Sequence, residues 1–540
     1  MRALLITLIV ATGALVAATV SPAGATTPAP ASITPSRTCA SVAGLDVSRV
    51  PDAPSRISSA AVVTDKIGTK TIAFCDVKGV TAPRTRFEIK LPVSTWGGRY
   101  VQEGCQSYCG SVQRALTDPP LAGYVCKAAD DGTLVLAGDD EGHTSADATD
   151  GSWAKDDPAL RVVFGLTSEH SLAHLAKAVI AGYYGRSPTY SYFDGCSTGG
   201  REALMLAQRY PTDFDGIVAG APASNLAPLG IAAAWLARIN TDSNGHQILT
   251  AEKLPALHAA VMARCANSAG LITDPRRCGF DPASLRCAPG NDSDGCLTPP
   301  QVRAVRDAYR GATDRRGRSL FNGGEPYGSE LAWQGQFVQP ADDAAAPGDT
   351  LSAQLALNYL KYMGFVHNPP AGFTLADVRF TDSLFHRLNL LGSAIYNANN
   401  PDLRAFAAHG GKLILYHGWA DQAISPWSTL DYYGAVERAS GGFAASQRFS
   451  RLYMVPGGNH CLFGPDQSIN LADFLTPAMS WVEQGTAPRG VPAEVLTPAG
   501  AITMAQTLHP IDALAPVRPA PGSLNGHYDY IGSYPDRTAR

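Results

Sequence analysis

The stretch Tyr192-Phe-Asp-Gly-Cys-Ser-Thr-Gly-Gly-Arg-Glu-Ala-Leu204 decides how this chain folds. The residues leading into it, Pro188-Thr-Tyr-Ser-Tyr-Phe193, are aromatic and hydroxylic, which predicts a short buried strand. The residues that follow, Arg201–Tyr210, are rich in helix formers with apolar side chains at helical spacing. Between them, Gly195-Cys-Ser-Thr-Gly199 fits G-x-S-x-G, a sharp strand-to-helix turn that projects one hydroxyl clear of the sheet. Ser197 is therefore the candidate nucleophile.

Strand-like and helix-like segments alternate on both sides of this turn. A helix is predicted over about Leu166–Tyr184. Strands are predicted at residues 71–77, 86–91, 133–137, 217–222, 412–416 and 451–455. This alternation predicts an α/β fold with a mostly parallel central sheet flanked by helices.

The alternation stops between the strands at 217–222 and 412–416. That stretch has amphipathic helices, local cysteine loops and scattered aromatic residues. We therefore predict three folded parts. Residues 39–222 and 400–540 form the two halves of the α/β core, and residues 223–399 form an inserted, mainly helical lid domain.

The first residues have the features of an export signal. One basic residue, Arg2, precedes the apolar stretch Ala3–Val20, and the small residues Ala23 and Ala25 follow. This pattern predicts a signal peptide over residues 1–25 rather than a membrane anchor, and a secreted, extracellular protein. Residues 26–38 are rich in Pro, Ala and Thr, which predicts a disordered lead-in.

The overall charge excludes one class of partner. The formal net charge is −4, and the 43 Lys and Arg residues form no basic run, so nothing indicates nucleic-acid binding. No later segment has the apolar length that a membrane span needs.

The eleven cysteines of an exported chain are expected to form mostly disulfides. Short closed loops, or a tie to the mature N-terminus, favour three pairs. These are Cys265 with Cys278, Cys287 with Cys296, and Cys39 with Cys75. Cys105, Cys109 and Cys126 leave one cysteine over, and their pairing stays open. No C-x-x-C pair occurs, so a zinc site is disfavoured.

Two later strand ends carry the partners that a nucleophilic serine requires. Ser197, Asp421 and His460 have the chain order of an α/β-hydrolase triad, and each follows a predicted strand. His460 would take the serine proton, and Asp421 would fix the imidazole tautomer. Asp402, Asp431 and Asp466 are competing carboxylates. Asp421 is preferred because it lies about five residues beyond an apolar strand, in a Gly-containing turn.

A pair of cysteines points to the same contact. Cys196 precedes Ser197, and Cys461 follows His460. If the serine and the histidine meet, the two cysteines come within the Cα separation that a disulfide requires. We therefore predict a Cys196–Cys461 disulfide.

These motifs carry a family resemblance. Gly195-Cys-Ser-Thr-Gly-Gly-Arg201, His417-Gly-Trp-Ala-Asp421 and Asn459-His-Cys461 resemble the tannase and feruloyl esterase family of α/β-hydrolases, and the similarity extends over most of the mature chain. The resemblance implies a Ser/Asp/His esterase with a disulfide beside the triad and an inserted lid. It also implies esters of phenolic acids as substrates, among them gallate and feruloyl esters, chlorogenate and a terephthalate monoester.

The lid departs from the family in its calcium loop. The family's loop is rich in Asp, whereas Cys265–Cys278 keeps only Asp274. One carboxylate is too few for an ion that takes six to eight oxygen ligands. We therefore expect no metal and no cofactor.

The loop expected to supply oxyanion donors also departs from the glycine-rich family pattern. It reads Gly104-Cys-Gln-Ser-Tyr-Cys-Gly110. Backbone N–H groups do not need glycine to act as donors, so we assign the Cys105 amide, with Gln106 close behind. The second donor is the Thr198 amide after the nucleophile.

Two other clusters have simpler interpretations. His170 and His174 share the i, i+4 spacing of a zinc motif but lack its glutamate, so surface or packing histidines are preferred. Asp139-Asp-Glu-Gly-His143 can be read as a metal cluster, although a solvated loop at a strand end is the preferred interpretation.

The sequence favours a secreted serine esterase acting on small-molecule or polysaccharide-linked aromatic esters. An esterase or amidase for other bulky acyl groups is the alternative, since a fold and triad do not set the substrate. A silent binding protein for phenolic or glycan ligands is a third possibility, and the intact triad argues against it. No feature of the sequence indicates an oligomeric state.

Overall fold

Nine strands form the central sheet of the protein, seen here in a computed structural model. The structure describes residues 32–67, 70–112, 126–340, 349–464, 468–497 and 501–511. The predicted signal peptide, residues 1–25, lies outside these residues.

The order of the strands across the sheet is β1-β2-β3-β5-β4-β6-β7-β8-β9. Their bounds are β1 Ser55–Ile67, β2 Lys70–Thr81, β3 Thr85–Pro92, β4 Arg99–Glu103, β5 Leu134–Asp139, β6 Tyr190–Cys196, β7 Gly216–Gly220, β8 Lys412–Gly418 and β9 Ser450–Val455. The pairs β1–β2, β2–β3 and β3–β5 are antiparallel, and the six strands from β5 to β9 in this order are parallel. The predicted mostly parallel sheet is confirmed.

The α-helices in the described residues cover both faces of this sheet or lie in the inserted region. In chain order they are α1 Cys39–Val42, α2 Lys127–Asp130, α3 Pro158–Val162, α4 Ser168–Tyr184, α5 Thr198–Arg209, α6 Leu226–Ile239, α7 Leu254–Cys265, α8 Pro299–Arg310, α9 Leu351–Asn358, α10 Asp382–Leu391, α11 Arg404–His409, α12 Pro426–Ala439, α13 Phe443–Ser446 and α14 Leu475–Gln484. None of the helices in the described residues has the length and apolar character to cross a membrane.

Each face of the sheet has its own hydrophobic core, as expected where parallel strands are covered on both sides. On one face, α4, α5 and α12 bury side chains such as Val179, Leu204 and Tyr433 against the strands. On the other face, α14 buries Trp481 and packs beside a small antiparallel sheet. The strands of that sheet are β10 Leu471–Ala472, β11 Val491–Leu496 and β12 Ile502–Leu508.

The region between β7 and β8 contributes helices and isolated bridges, and its described residues add no strand to either sheet. One of its hydrophobic clusters contains Trp333 and Phe337. Another joins Tyr359 and Tyr396 to Phe164 of the α/β core. The helices of this region therefore pack directly on the core. The domain boundaries at 222 and 399 stay predictions.

The disordered lead-in predicted at residues 26–38 stays a prediction, and the structure describes only its last part, residues 32–38. The Ile33 amide donates to Trp96 O at 2.8 Å, and the Ser36 amide donates to Tyr183 O at 2.9 Å. These hydrogen bonds attach the segment to the residues before β4 and to the end of α4, so it has fixed backbone partners.

Candidate active site

The turn after β6 is as tight as the sequence predicts. β6 ends at Cys196, α5 begins at Thr198, and Ser197 between them has φ 64° and ψ −117°. This conformation is strained for a residue other than glycine, and it is typical of a nucleophile elbow. A Cβ atom on Gly195 would lie only 2.5 Å from Gly199 O, so glycine is required there.

The structure brings the predicted acid and histidine together. The Asp421 carboxylate Oδ2 lies 2.8 Å from His460 Nδ1. Its other oxygen, Oδ1, accepts from the amides of Ala423 and Ile424 at 2.9 and 2.8 Å. Because the carboxylate can only accept, it selects the tautomer with the proton on Nδ1, which leaves Nε2 of His460 free of a proton.

The surroundings of Asp421 favour its ionised form. Burial alone would raise its pKa, but the charge of His460 and the hydrogen bonds from His417 and His460 lower the pKa well below its usual value. His417 Nε2 lies 3.1 Å from Asp421 Oδ2. No role for His417 is predicted from the sequence, although its position at the end of an apolar strand is a signal that could have suggested one.

The competing carboxylates lie elsewhere. Asp402 pairs with Arg404 at the surface. Asp431 accepts a hydrogen bond from Asn322 at 2.6 Å. Asp466 lies outside the described residues.

A cavity of about 270 Å³ opens beside the elbow. Ser197, Thr198 and His460 all line it, so the predicted nucleophile and base share one cavity. The rest of its lining is apolar, hydroxyl-bearing or amide-bearing: Gln106, Ser107, Tyr108, Ala223, Leu226, Leu229, Gly230, Ala233, Gln336, Leu351, Leu355, Gln422, Ala423, Ile424 and Phe463. We call this space the catalytic cavity.

All four predicted disulfides are present. They are Cys39–Cys75, Cys196–Cys461, Cys265–Cys278 and Cys287–Cys296. The Cα atoms of Cys196 and Cys461 are 5.9 Å apart. The pairing left open by the sequence is Cys105 with Cys109. Cys126 is buried, with its Sγ 3.7 Å from the Thr476 hydroxyl.

The assignment of the Cys105 amide as an oxyanion donor is wrong. That amide donates to Glu202 Oε2 at 3.0 Å, because Glu202 lies on the first turns of α5 and faces the loop. The next amide along the loop, that of Gln106, has no hydrogen-bond acceptor among the described residues, and neither has the Thr198 amide. Gln106 and Thr198 both line the catalytic cavity. The donor pair that fits the structure is therefore Gln106 with Thr198.

Three hydrogen bonds hold this loop against the start of α5. Besides the Cys105–Glu202 contact, Cys105 O accepts from the Gly199 amide at 2.7 Å, and Ser107 O accepts from the Thr198 hydroxyl at 2.5 Å. A Cβ atom on Gly104 would lie 2.6 Å from the Gly199 Cα, so this close contact depends on glycine.

The predicted solvated loop at Asp139–His143 is also wrong, because the loop is buried. Ser168 donates to Asp139 Oδ2 at 2.7 Å, and Arg86 pairs with Asp140 at 2.6 Å. His143 stacks on Trp153 with ring centroids 4.2 Å apart, and burial lowers the pKa of His143 to about 4. Ser168 and Arg86 therefore replace water around the carboxyl groups of Asp139 and Asp140.

The carboxyl groups of this loop belong to a buried acidic cluster. Ligand-type oxygens of Asp139, Glu141 and Glu169 lie within 4.8 Å of one another, and Glu202 lies next to them. Burial raises the pKa of Asp139 to about 7 and raises the pKa of Glu141 well above its usual value. The cluster therefore carries protons at neutral pH, since like charges at this spacing cannot all be ionised.

His170 and His174 lie side by side on α4, with ring centroids 4.4 Å apart. His170 Nδ1 is 2.6 Å from Asp213 Oδ2, and its ring stacks on Tyr210 at 3.9 Å. His174 Nε2 is 3.6 Å from Asp213 Oδ1. The contacts are those of packed, hydrogen-bonded histidines, and Asp213 is the partner that the sequence could not identify.

Asp274 of the lid loop already has partners for both oxygens. Arg276 contacts them through Nε and Nη2 at 2.8 and 2.9 Å, and Arg277 lies at 3.5 Å. Two guanidinium groups at these distances oppose a bound cation there.

The sheet order, the elbow after β6 and the acid and histidine loops after β8 and β9 define an α/β-hydrolase. Feruloyl esterase B from Aspergillus oryzae superposes with a TM-score of 0.73 at 23% identity, covering 87% of this chain and 95% of that chain.

The sequence comparisons are more specific. An uncharacterized esterase of Xanthomonas campestris pv. campestris is 34% identical over 461 residues, covering 78% of this chain and 77% of that protein. A mono(2-hydroxyethyl) terephthalate hydrolase of Piscinibacter sakaiensis is 32% identical over 492 residues, covering 78% of each chain. The family described as tannase and feruloyl esterase matches residues 68–515. The chain belongs to that family and is a carboxylic ester hydrolase.

We expect the Cys196–Cys461 disulfide to support both stability and rate. In Cys196→Ala/Cys461→Ala, the entropy model for a loop of this length gives a loss of at most about 5 kcal/mol. A displacement of about 1 Å between Ser197 and His460 would lower kcat on the order of a hundredfold. Urea unfolding, and kcat and KM for methyl ferulate, measure the two effects.

Cys287→Ala/Cys296→Ala is the matched control, because that disulfide joins residues only nine apart and neither cysteine is among the residues lining the catalytic cavity. The control should keep its kcat. Equal kcat losses in the two double variants would contradict a positioning role for Cys196–Cys461.

We expect Asp139 to make the protein less stable as the pH rises. Its pKa is higher in the folded state than the usual value near 4, so its stabilising contribution is complete below about pH 4 and is lost toward pH 7. Asp139→Asn should therefore show a smaller fall in Tm between pH 4 and 7 than the wild type. Asp130→Asn, at an exposed site, is the control, and Tm curves for Asp139→Asn that parallel the wild type would refute the assignment.

We expect calcium to have no effect through the lid loop. Asp274 is paired with arginines, so no calcium ion should stabilise the folded state there. EDTA should leave Tm and esterase activity unchanged. A fall in Tm that calcium, and not magnesium, reverses would show that the loop binds calcium.

Proposed function

We propose that this protein is a secreted serine esterase that hydrolyses esters of phenolic acids, such as feruloyl and galloyl esters, through an acyl-enzyme on Ser197. The observation that carries the proposal is the single cavity shared by Ser197, Thr198, Gln106 and His460, with Asp421 hydrogen-bonded behind the imidazole. Membership of the tannase and feruloyl esterase family supports the same chemistry.

In the proposed mechanism, His460 Nε2 takes the proton of the Ser197 hydroxyl as the oxygen attacks the ester carbonyl. Asp421 stabilises the imidazolium that forms. The Thr198 and Gln106 amides donate to the oxyanion of the tetrahedral intermediate. His460 then gives its proton to the leaving alcohol, and a water molecule releases the acid from Ser197 by the same steps.

The lining of the catalytic cavity favours an uncharged aromatic acyl group. Leu226, Leu229 and Phe463 offer apolar contacts for a ring. The side chains of Gln106, Gln336 and Gln422 add amides, and Nε2 of Gln106 is buried without a hydrogen-bond partner in the described structure. A substrate hydroxyl or methoxy oxygen could accept that hydrogen bond.

A terephthalate monoester is the second candidate substrate, because one relative is named as a hydrolase of such an ester. Its acyl group carries a carboxylate that needs a cationic partner when it is buried. The residues named above as lining the cavity include no Lys or Arg. We therefore rank this substrate below the phenolic esters.

Secretion is supported by the N-terminal sequence and by the disulfides. Five cysteine pairs lie at disulfide distance in the described residues. Such bonds persist in oxidising compartments and are rare in the cytosol.

We expect Ser197→Ala to abolish hydrolysis of methyl ferulate and methyl gallate, leaving only the residual rate due to binding and oxyanion donors. A fluorophosphonate probe should label the wild type at Ser197 only, as read by peptide mass spectrometry. Labelling of a different serine would contradict the proposed mechanism. A kcat/KM for a terephthalate monoester above that for methyl ferulate would reverse the substrate ranking.

A further inference from the structure

A second cavity, of about 310 Å³, is lined in part by the loops that carry Asp421 and His460. Trp419 and Ala420, just before Asp421, line it, and so do Gly457 and Asn459, just before His460. Gln422, Ala423 and Ile424 after the acid line the catalytic cavity instead, and so do His460 and Phe463. The same two loops therefore contribute to the walls of two cavities of similar size, whose lining residues do not overlap.

The wall of the second cavity suits an aromatic ring. Its large lining side chains are apolar or aromatic: Met262, Leu271, Ile272, Tyr327, Leu331 and Trp419. Leu271 and Ile272 come from the loop closed by Cys265–Cys278, so that disulfide fixes one side of the cavity. Mostly apolar walls with few polar groups are typical of small-molecule sites.

His258 provides one polar contact at a defined position. Its Nδ1 lies 2.7 Å from Glu330 Oε2. Glu330 is fully buried and also accepts from the Tyr309 hydroxyl at 2.8 Å. Because the carboxylate accepts from Nδ1, Nε2 is the ring atom left for a ligand. Nε2 accepts from a phenol when the imidazole is neutral and donates to a carboxylate when it is protonated.

The cavity also contacts the hydrogen bond that joins the two loops. Asn459 Nδ2 donates to Ala420 O at 2.8 Å, and both residues line the cavity. The Ala420 amide in turn donates to Gly458 O at 2.9 Å. A ligand in this cavity would touch the backbone that sets the separation of Asp421 and His460.

We propose that the second cavity is a binding site for a single-ring aromatic compound bearing one acidic oxygen, a phenol or an aryl carboxylic acid. The ring packs against the apolar wall beside Trp419, and the acidic oxygen bonds Nε2 of His258. Compounds of this class are the products of the proposed esterase reaction, but the binding itself does not depend on that reaction.

The test measures ferulate binding to protein whose catalytic cavity is filled. Phenylmethanesulfonyl fluoride modifies a nucleophilic serine, and its aryl group would then occupy the cavity beside Ser197. Isothermal titration and saturation-transfer NMR should show one ferulate bound per modified chain. Absence of binding to the modified protein up to millimolar ferulate would overturn the proposal.

Matched substitutions identify the site. Leu271→Trp fills the second cavity, and Leu229→Trp, from the lining of the catalytic cavity, is the control. We expect Leu271→Trp to remove ferulate binding from the modified protein and Leu229→Trp to retain it. His258→Leu, a milder change, should weaken binding about tenfold, the loss expected of one hydrogen bond. Binding that survives both Leu271→Trp and His258→Leu would place ferulate elsewhere and reject the site.

The two proposals can fail separately. If the sulfonyl group is found on a residue other than Ser197, the esterase mechanism fails. Ferulate titrations of unmodified Leu271→Trp and Leu229→Trp still report on the second cavity, because only Leu271→Trp should lose the site near His258. Equal ferulate binding by those two variants and the wild type would reject the second site alone.

Discussion

The disulfide between Cys196 and Cys461 is the constraint on which the proposed site depends. It joins the end of β6 to the loop after β9, across 265 residues of sequence. Both ends have backbone that ordinary side chains rarely adopt, with φ 64° at Ser197 and φ 50° at Cys461 itself. Such conformations cost free energy and persist only where surrounding structure holds them. A covalent bond beside the nucleophile and the base provides that restraint, so neither loop can relax without moving the other.

A second set of contacts extends this restraint to the oxyanion loop. Glu202, one helical turn beyond the nucleophile, accepts from the Cys105 amide and belongs to the buried acidic cluster with Glu141. The position of the Gln106 amide therefore depends, through Cys105 and Glu202, on the buried acidic cluster. Helix α5 thus contributes twice to the proposed oxyanion site. Its first residue, Thr198, presents one donor, and its fifth residue, Glu202, holds the segment that presents the other.

The fold and the order of the site residues could be predicted because both are recorded locally in the sequence. A strand, a glycine turn and a helix follow one another between Tyr190 and Arg209, and apolar strands end just before Asp421 and His460. The Cys196–Cys461 contact could be inferred across the chain because each cysteine adjoins a residue that chemistry brings together. Patterns of period two and 3.6 report which side chains are buried, and the parallel sheet places the ends of its strands at one edge.

The failures have one physical cause, which is that sequence patterns do not show which buried polar groups pair. Asp139 belongs to a run of charged residues whose composition predicts a solvated loop. In the structure Asp139 is buried and accepts a hydrogen bond from the Ser168 hydroxyl. The prediction of the Cys105 amide as an oxyanion donor fails for the same reason, because nothing in the loop's own sequence reveals that Glu202 faces it. A buried donor must have an acceptor, and once Glu202 takes that place, the neighbouring amide of Gln106 is the one left to face the cavity. The oxyanion donor is thus determined by a carboxylate nearly a hundred residues away in sequence, which only the fold brings to the loop.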